Sequence, residues 1–322
     1  MRSIRKVMVI KLSAMGDFVL AVAAFERIRA VHRDAQITLL TTPPFEELAR
    51  SSPFFDRVRA DGRPRSLGGW LALVARLRAA GYDRIYDLQN SGRTKLYFQA
   101  LRPLPPQWSG VAAGCALPHR NPDRMRMHAL ERQAQQLKDA GIWPDAPTRP
   151  LSAPPPDLAW MLATAPTDQA IAVPGPRPTA LLVPGSSAHR PDKRWPIERY
   201  AALSEHLQAK GFEVVIIGAG QESELAQRIR DRTPWARDLT GRTSFAQIGG
   251  LGARCAVAIG NDTGPVHLLA AAGAPTVCLF SSASDPALCG PRGEAAVLWA
   301  PDLQDLPVAT VLDEALLLAN SS

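Results

Sequence analysis

The chain has 322 residues, 46% of them hydrophobic and 21% charged, with a formal charge of +7 and a pI near 9.6. That length suits two domains with sizeable cores, and the balance excludes a disordered chain. The excess of positive charge favours phosphate-bearing or otherwise acidic partners. The Lys and Arg residues are scattered, however, without dense basic runs interleaved with aromatics, which sets nucleic acid aside.

Basic residues and a short apolar run, interrupted at Lys11, open the chain, so it reads as neither a signal-peptide core nor a membrane span. The spacing then predicts a strand over 7–11, a helix over 18–31, a strand over 37–41 and a helix over 43–50. A weak strand follows at Val58, then a helix over 67–80 closed by Gly81, a strand over 84–88 and a helix capped by Ser91 running toward Ala100. A long helix over 123–140, stopped by Gly141, ends this half. Residues 144–178 are rich in proline, alanine and threonine, with a short helix expected over 158–163.

The pattern restarts with a strand over 180–183 and a helix over 196–210 stopped by Gly211. A strand over 213–217 and helices over 222–232 and 244–251 follow. A strand over 256–259, a helix over 264–272, a strand over 276–280 and an amphipathic helix over 306–319 complete the chain. Alternation of this kind predicts two parallel, doubly wound α/β sheets, with ligands at the carboxyl ends of the strands. The expected division is an N-terminal lobe over 1–160, a linker over 161–178 and a C-terminal lobe over 179–322.

Four stretches carry chemistry. Ser13-Ala14-Met15-Gly16-Asp17 follows the first strand. Gly16 permits a tight turn, and Asp17 fits an ordinary helix cap at least as well as a general base. Pro184-Gly185-Ser186-Ser187 leads to Lys193, where exposed N–H groups and an ammonium suit a phosphate; a solvated Lys is the plain alternative, and the ending is not that of a Walker loop. Gly218-Ala219-Gly220 starts like a dinucleotide fingerprint but lacks its third glycine. The following Glu222 fits a first-turn carboxylate as well as a ribose contact. Gly260-Asn261-Asp262-Thr263-Gly264-Pro265-Val266-His267 places Thr263 and Gly264 at a helix N-terminus, an anion site that Asp262 can shape. His267 fits a packed core histidine as well as a phosphate contact. A fifth, basic cluster contains His119, Arg120, Arg124, Arg126, His128 and Arg132, with His128 and Arg132 expected on one helix face. Four cysteines without a CxxC pair read as free thiols in a reducing compartment, and no zinc site is expected.

Taken in order, these motifs resemble the ADP-heptose:lipopolysaccharide heptosyltransferases of glycosyltransferase family 9. The resemblance rests on residues 10–17, on Tyr82-Asp83-Arg84-Ile85-Tyr86-Asp87-Leu88-Gln89, on Pro184-Gly185-Ser186 with Lys193-Arg194-Trp195-Pro196, and on 261–267. It implies a GT-B fold: two Rossmann-like lobes facing a central cleft, an acceptor lobe then a donor lobe, with the last helix packing back on the first lobe. It implies inverting transfer without a metal ion, and the chain has no DxD motif. Carried over by position, Asp17 is the catalytic base. Gly16, Ser186, Lys193, Glu222, Asp262, Thr263, Gly264 and His267 hold the nucleotide sugar, and Arg120, Arg124 and His128 meet the acceptor. His189, Arg190 and Pro191 depart from the family pattern.

The resemblance further implies ADP-heptose as donor, no cofactor and an acidic lipopolysaccharide inner-core acceptor. It implies a cytoplasmic location, for which the positive charge suits peripheral contact with an anionic inner membrane. Alternatives are a family member with another nucleotide sugar or a non-lipid acceptor, or a nucleotide-sugar-binding protein that has lost catalysis.

Overall fold

A computed structural model describes residues 4–162, 176–187 and 189–321. Its contacts divide the chain into two compact units, Met1–Ala153 and Pro154–Ser322.

The first unit runs β1 (Lys6–Ile10), α1 (Met15–Val19), α2 (Val22–Val31), β2 (Gln36–Leu40), α3 (Glu46–Ser51) and β3 (Arg57–Arg59). It continues with α4 (Leu67–Ala80), β4 (Arg84–Asp87), α5 (Gly92–Ala100), β5 (Gln107–Gly110), β6 (Leu117–Pro118) and α6 (Ala129–Asp139). The strands form one parallel sheet in the order β3-β2-β1-β4-β5-β6. That is the Rossmann order, and it reverses between β1 and β4. Strands buried on both faces read as continuous apolar runs, and Val7, Met8, Val9 and Ile10 are all fully buried. Trp108, Tyr97 and Phe98 fill the core on one side of the sheet with Met8, Ile10 and Leu73.

The second unit runs α7 (Ala159–Leu162), β7 (Thr179–Val183), α8 (Ile197–Ala209), β8 (Glu213–Ile216), α9 (Ser223–Arg230) and β9 (Arg237–Asp238). Then come α10 (Phe245–Gly252), β10 (Val257–Asn261), α11 (Gly264–Ala271), β11 (Thr276–Phe280), α12 (Pro286–Cys289), β12 (Ala295–Trp299) and α13 (Val308–Ser321). Its parallel sheet has the order β12-β11-β10-β7-β8-β9, the same topology with its reversal between β7 and β10.

Several elements differ from expectation. The helix expected over 18–31 is two helices, because Leu20 N bonds Gly16 O and Ala21 N bonds Phe18 O, tightening and closing α1. Residues 123–140 likewise split. Pro122–Arg126 is a 3-10 turn, Met127 is extended, and α6 begins only after His128. The strands β5, β6, β9 and β12 were not expected; two have only two residues, and β5 reads Gln-Trp-Ser-Gly, poor in strand formers.

Unit two begins before the expected linker. Met161 of α7 is buried, and a Cβ on Gly249 of α10 would lie 2.4 Å from its Cε. Residues 163–175 of the expected 161–178 linker, and Ala163 of the expected short helix, lie outside the described residues. The resemblance implies that the last helix packs back on the first lobe; its buried residues, Val311 and Ala315, join the core of the second unit with Leu203, Leu207 and Ile259. Among the described residues no helix is long and apolar enough to cross a membrane.

Candidate active site

In the first unit the switch point lies between Ile10 and Asp87, paired at the ends of β1 and β4. The loop after each strand is held by the other. Gln89 Oε1 accepts from Leu12 N at 2.7 Å and Ser13 N at 3.2 Å, and Thr42 Oγ1 donates to Leu12 O at 3.0 Å. Arg63 donates to Ser13 Oγ. So braced, the chain enters α1, whose third residue is Asp17. Its Oδ2 accepts from Ala14 N at 3.2 Å, tying the helix start back to its N-cap residue. Gly16 lies within this helical turn, its carbonyl accepting from Leu20 N, rather than at a reversal of the loop.

Asp17 lines a cavity of about 270 Å³ with Lys11, Gln89, Asn90, Lys95, Arg124, Arg132, Gln133 and Gln136. Four of these are cationic side chains and Asp17 is the one carboxylate. Lys11 is buried, and burial pushes its ammonium pKa down while the charges of Asp17 and Asp87 pull it up. Asp87 beneath is also buried, which pushes its carboxyl up to about 6 against backbone hydrogen bonds from Asn90 and Gln89. Asn90 Nδ2 donates to Gln136 Oε1 at 2.7 Å, and Gln136 Nε2 donates to Asp87 O at 3.1 Å, so α6 is tied to the strand ends.

Of the expected acceptor residues, Arg124 lines this cavity and Arg120 does not. His128, expected on a helix face with Arg132, is the N-cap of α6 and is not among the residues lining the cavity. It is buried, with Nδ1 accepting from Leu130 N at 3.3 Å and lying 3.3 Å from Glu131 Oε2. Lys11 and Gln89 stood only as members of the matching motifs, and Asn90, Lys95 and Gln136 were not singled out. Asn90 follows a strand, Lys95 lies one turn into α5 and Gln136 two turns into α6.

In the second unit, three loops converge at the carboxyl ends of β7, β10 and β11. Asn261 organises them. Its Oδ1 accepts from Trp195 N at 3.0 Å and Tyr200 OH at 3.1 Å, and its Nδ2 donates to Pro184 O at 2.8 Å and Gly185 O at 3.1 Å. Asp262, 7% exposed, follows. Its Oδ2 accepts from Lys193 Nζ at 2.5 Å and Ser284 Oγ at 2.7 Å, and its Oδ1 from His267 Nε2 at 3.0 Å. Burial opposes its ionisation, but hydrogen bonds from His267, Lys193 and Ser284 outweigh burial and hold the carboxyl well below the usual range. His267 is thus a buried histidine that braces Asp262.

α11 starts at Gly264 with Thr263 as its N-cap and Pro265 in its first turn, so its first N–H groups have no acceptor within the helix. Ser186 is turned inward, donating to Arg190 O at 3.0 Å and accepting from Arg194 Nε at 2.9 Å, which makes it a brace of its loop. Glu222 ends a 3-10 turn, Oε2 accepting from Ala219 N at 2.8 Å, and its partial burial raises the carboxyl pKa. A Cβ on Gly185 would lie 1.9 Å from Glu222 Oε1, so a larger residue there must push that carboxylate aside. Ser284 and Asn261 were not foreseen as site residues. Ser284 sits in Ser-Ser-Ala-Ser-Asp after β11, without a pattern that sets it apart. Among the described residues no three His, Cys, Asp or Glu side chains gather to hold a metal ion.

Two Rossmann-ordered sheets, each with a polar loop cluster at its switch point, are the parts of a GT-B fold. The chain belongs to glycosyltransferase family 9 (heptosyltransferase), whose sequence model matches residues 70–310. It is 28% identical over 309 residues to lipopolysaccharide heptosyltransferase 2 of Escherichia coli K12, covering 87% of this chain and 83% of that one. The structure of E. coli ADP-heptose lps heptosyltransferase II superposes with a TM-score of 0.79 at 25% identity, over 98% of this chain and 99% of that one. A family 9 glycosyl transferase from Veillonella parvula shares the fold at a TM-score of 0.80 and 21% identity, over 99% and 98% of the two chains.

Proposed function

We propose that the protein moves a heptose from ADP-heptose to a sugar hydroxyl of the lipopolysaccharide inner core, with inversion at the anomeric carbon and without a metal ion. The observation that carries this reading is the cavity in which one carboxylate, Asp17, faces Lys11, Lys95, Arg124 and Arg132. Such a lining suits an acidic acceptor whose hydroxyl is deprotonated by Asp17. The name and title of two E. coli relatives point to the same chemistry, lipopolysaccharide as acceptor and ADP-heptose as donor.

In this reading Asp17 takes the hydroxyl proton as the oxygen attacks the anomeric carbon. The bond from that carbon to the diphosphate oxygen breaks, and ADP leaves with the electron pair. Lys193 and the first N–H groups of α11 offset the charge that develops on the diphosphate. Glu222 holds the ribose. The reaction would take place at the cytoplasmic face of the inner membrane, with the +7 chain held against anionic lipid by charge.

A thermal-shift panel tests the donor. A ligand that binds only the folded state raises the melting temperature. ADP and ADP-heptose at about a hundred times Kd should raise it by several degrees, while UDP, GDP and their sugars leave it unchanged. A shift with a UDP- or GDP-sugar instead would overturn the donor.

A further inference from the structure

Asp262 carries three hydrogen-bond donors from three different elements, and two of them, His267 and Ser284, have no place in the mechanism above. Lys193 comes from the loop after β7, His267 from α11, and Ser284 from the loop after β11. Lys193 and Ser284 share the same oxygen, Oδ2, at 2.5 and 2.7 Å. The loops bearing these two residues are also joined directly, Arg190 Nη2 donating to Ala283 O at 2.5 Å. Ser284 is itself held by its own loop, its N–H donating to Ser281 O at 3.3 Å, while Ala283 N donates to Ser281 Oγ at 3.2 Å.

A buried carboxylate that loses a cationic partner is left with an unmet desolvation cost unless other donors remain. Without a nucleotide, Lys193 neutralises Asp262. When Lys193 turns to a diphosphate, Oδ2 keeps only Ser284, and Oδ1 keeps His267. We propose that Ser284 is a positioning residue for diphosphate recognition: its hydroxyl holds Asp262 Oδ2 in place, so that Lys193 can exchange between that carboxylate and the leaving diphosphate. Ser284 touches no substrate in this scheme and acts through Asp262 on Lys193. The inference rests on the donor assignment above and adds to it a residue and a division of labour: the adenosine end is indifferent to Ser284, the diphosphate end depends on it.

Calorimetric titration of the full-length protein with ADP and, separately, with adenosine tests this. For Ser284→Ala, ADP affinity should fall about tenfold, the scale of one hydrogen bond to a charged group. Adenosine affinity should stay within twofold, and Ser284→Thr should restore ADP binding. In Lys193→Ala, where there is no ammonium to exchange, adding Ser284→Ala should cost no further ADP affinity. Equal loss of ADP and adenosine binding would mark a collapsed loop and overturn the proposal, as would unchanged ADP binding in Ser284→Ala. Failure of the unaltered protein to bind ADP would instead overturn the donor assignment on which the proposal stands, so the two failures are told apart within one series.

Discussion

In the first unit, burial shifts the protonation of Asp87 and His32 strongly. Asp87 ends β4 under the Asp17 cavity, fully buried, its carboxyl raised from 3.8 to about 6. Such a group binds its proton more tightly when the protein is folded. The stability it contributes is full below about pH 4 and is lost as the pH rises through about 6. His32, hydrogen-bonded to Tyr86 OH at 2.8 Å, acts in the other direction, since burial and the nearby Arg84 and Arg29 charges lower it to about 4. Its stability contribution is present above its ordinary value of 6.5 and is lost as the pH falls toward 4. In the intact protein the two slopes oppose each other between pH 4 and 6. Asp87→Asn keeps an oxygen for the Asn90 and Gln89 amides and removes the titration. Urea unfolding of this variant should therefore lose stability more steeply on acidification than the unaltered protein. The difference between the two should change by up to about 3 kcal/mol between pH 4 and 7. Parallel curves would show that Asp87 does not titrate in this range.

At the scale of elements, what could be read from the sequence was whatever a short stretch determines alone. The helix α4 matches its expected bounds because Ser66 caps it, its hydroxyl accepting from Gly69 N, and Gly81 closes it at φ 61°. Ser91 caps α5 in the same way. The α6 boundary was misread because its cap is a histidine whose ring accepts from Leu130 N, an interaction outside the usual Ser, Thr, Asp and Asn set. Contacts between elements were similarly hidden. The glycine at 185 read as a phosphate-loop glycine, yet its main constraint is Glu222, which belongs to the turn after β8. Gly185→Ala would push Glu222 aside while leaving both sheets intact. The Michaelis constant for the donor should rise about tenfold, the melting temperature should move by only a few degrees, and adding Glu222→Ala should produce little further loss. Full additivity of the two changes would place Glu222 outside the donor contacts.

At the scale of the molecule, the repeated βα pattern and the motifs following three strands were enough to give the doubly wound class and the family, both of which stand. The side chains that finish each site were not legible. Gln89, Gln136, Asn261 and Ser284 act across 77, 49, 77 and 22 positions of sequence, and only the closed sheet brings them to their partners. Charged side chains are distributed in the same way, with one carboxylate among cations in one unit and a lysine paired with a buried aspartate in the other. In the proposed reaction Asp17 is the base. The most direct measurement is the rate of ADP release from ADP-heptose with a heptose-deficient lipopolysaccharide acceptor, compared between the unaltered protein and Asp17→Asn. The account predicts acceptor-dependent release by the unaltered protein, a loss of at least about a hundredfold in the variant, and equal ADP affinity in both. Turnover by Asp17→Asn at the unaltered rate would contradict it.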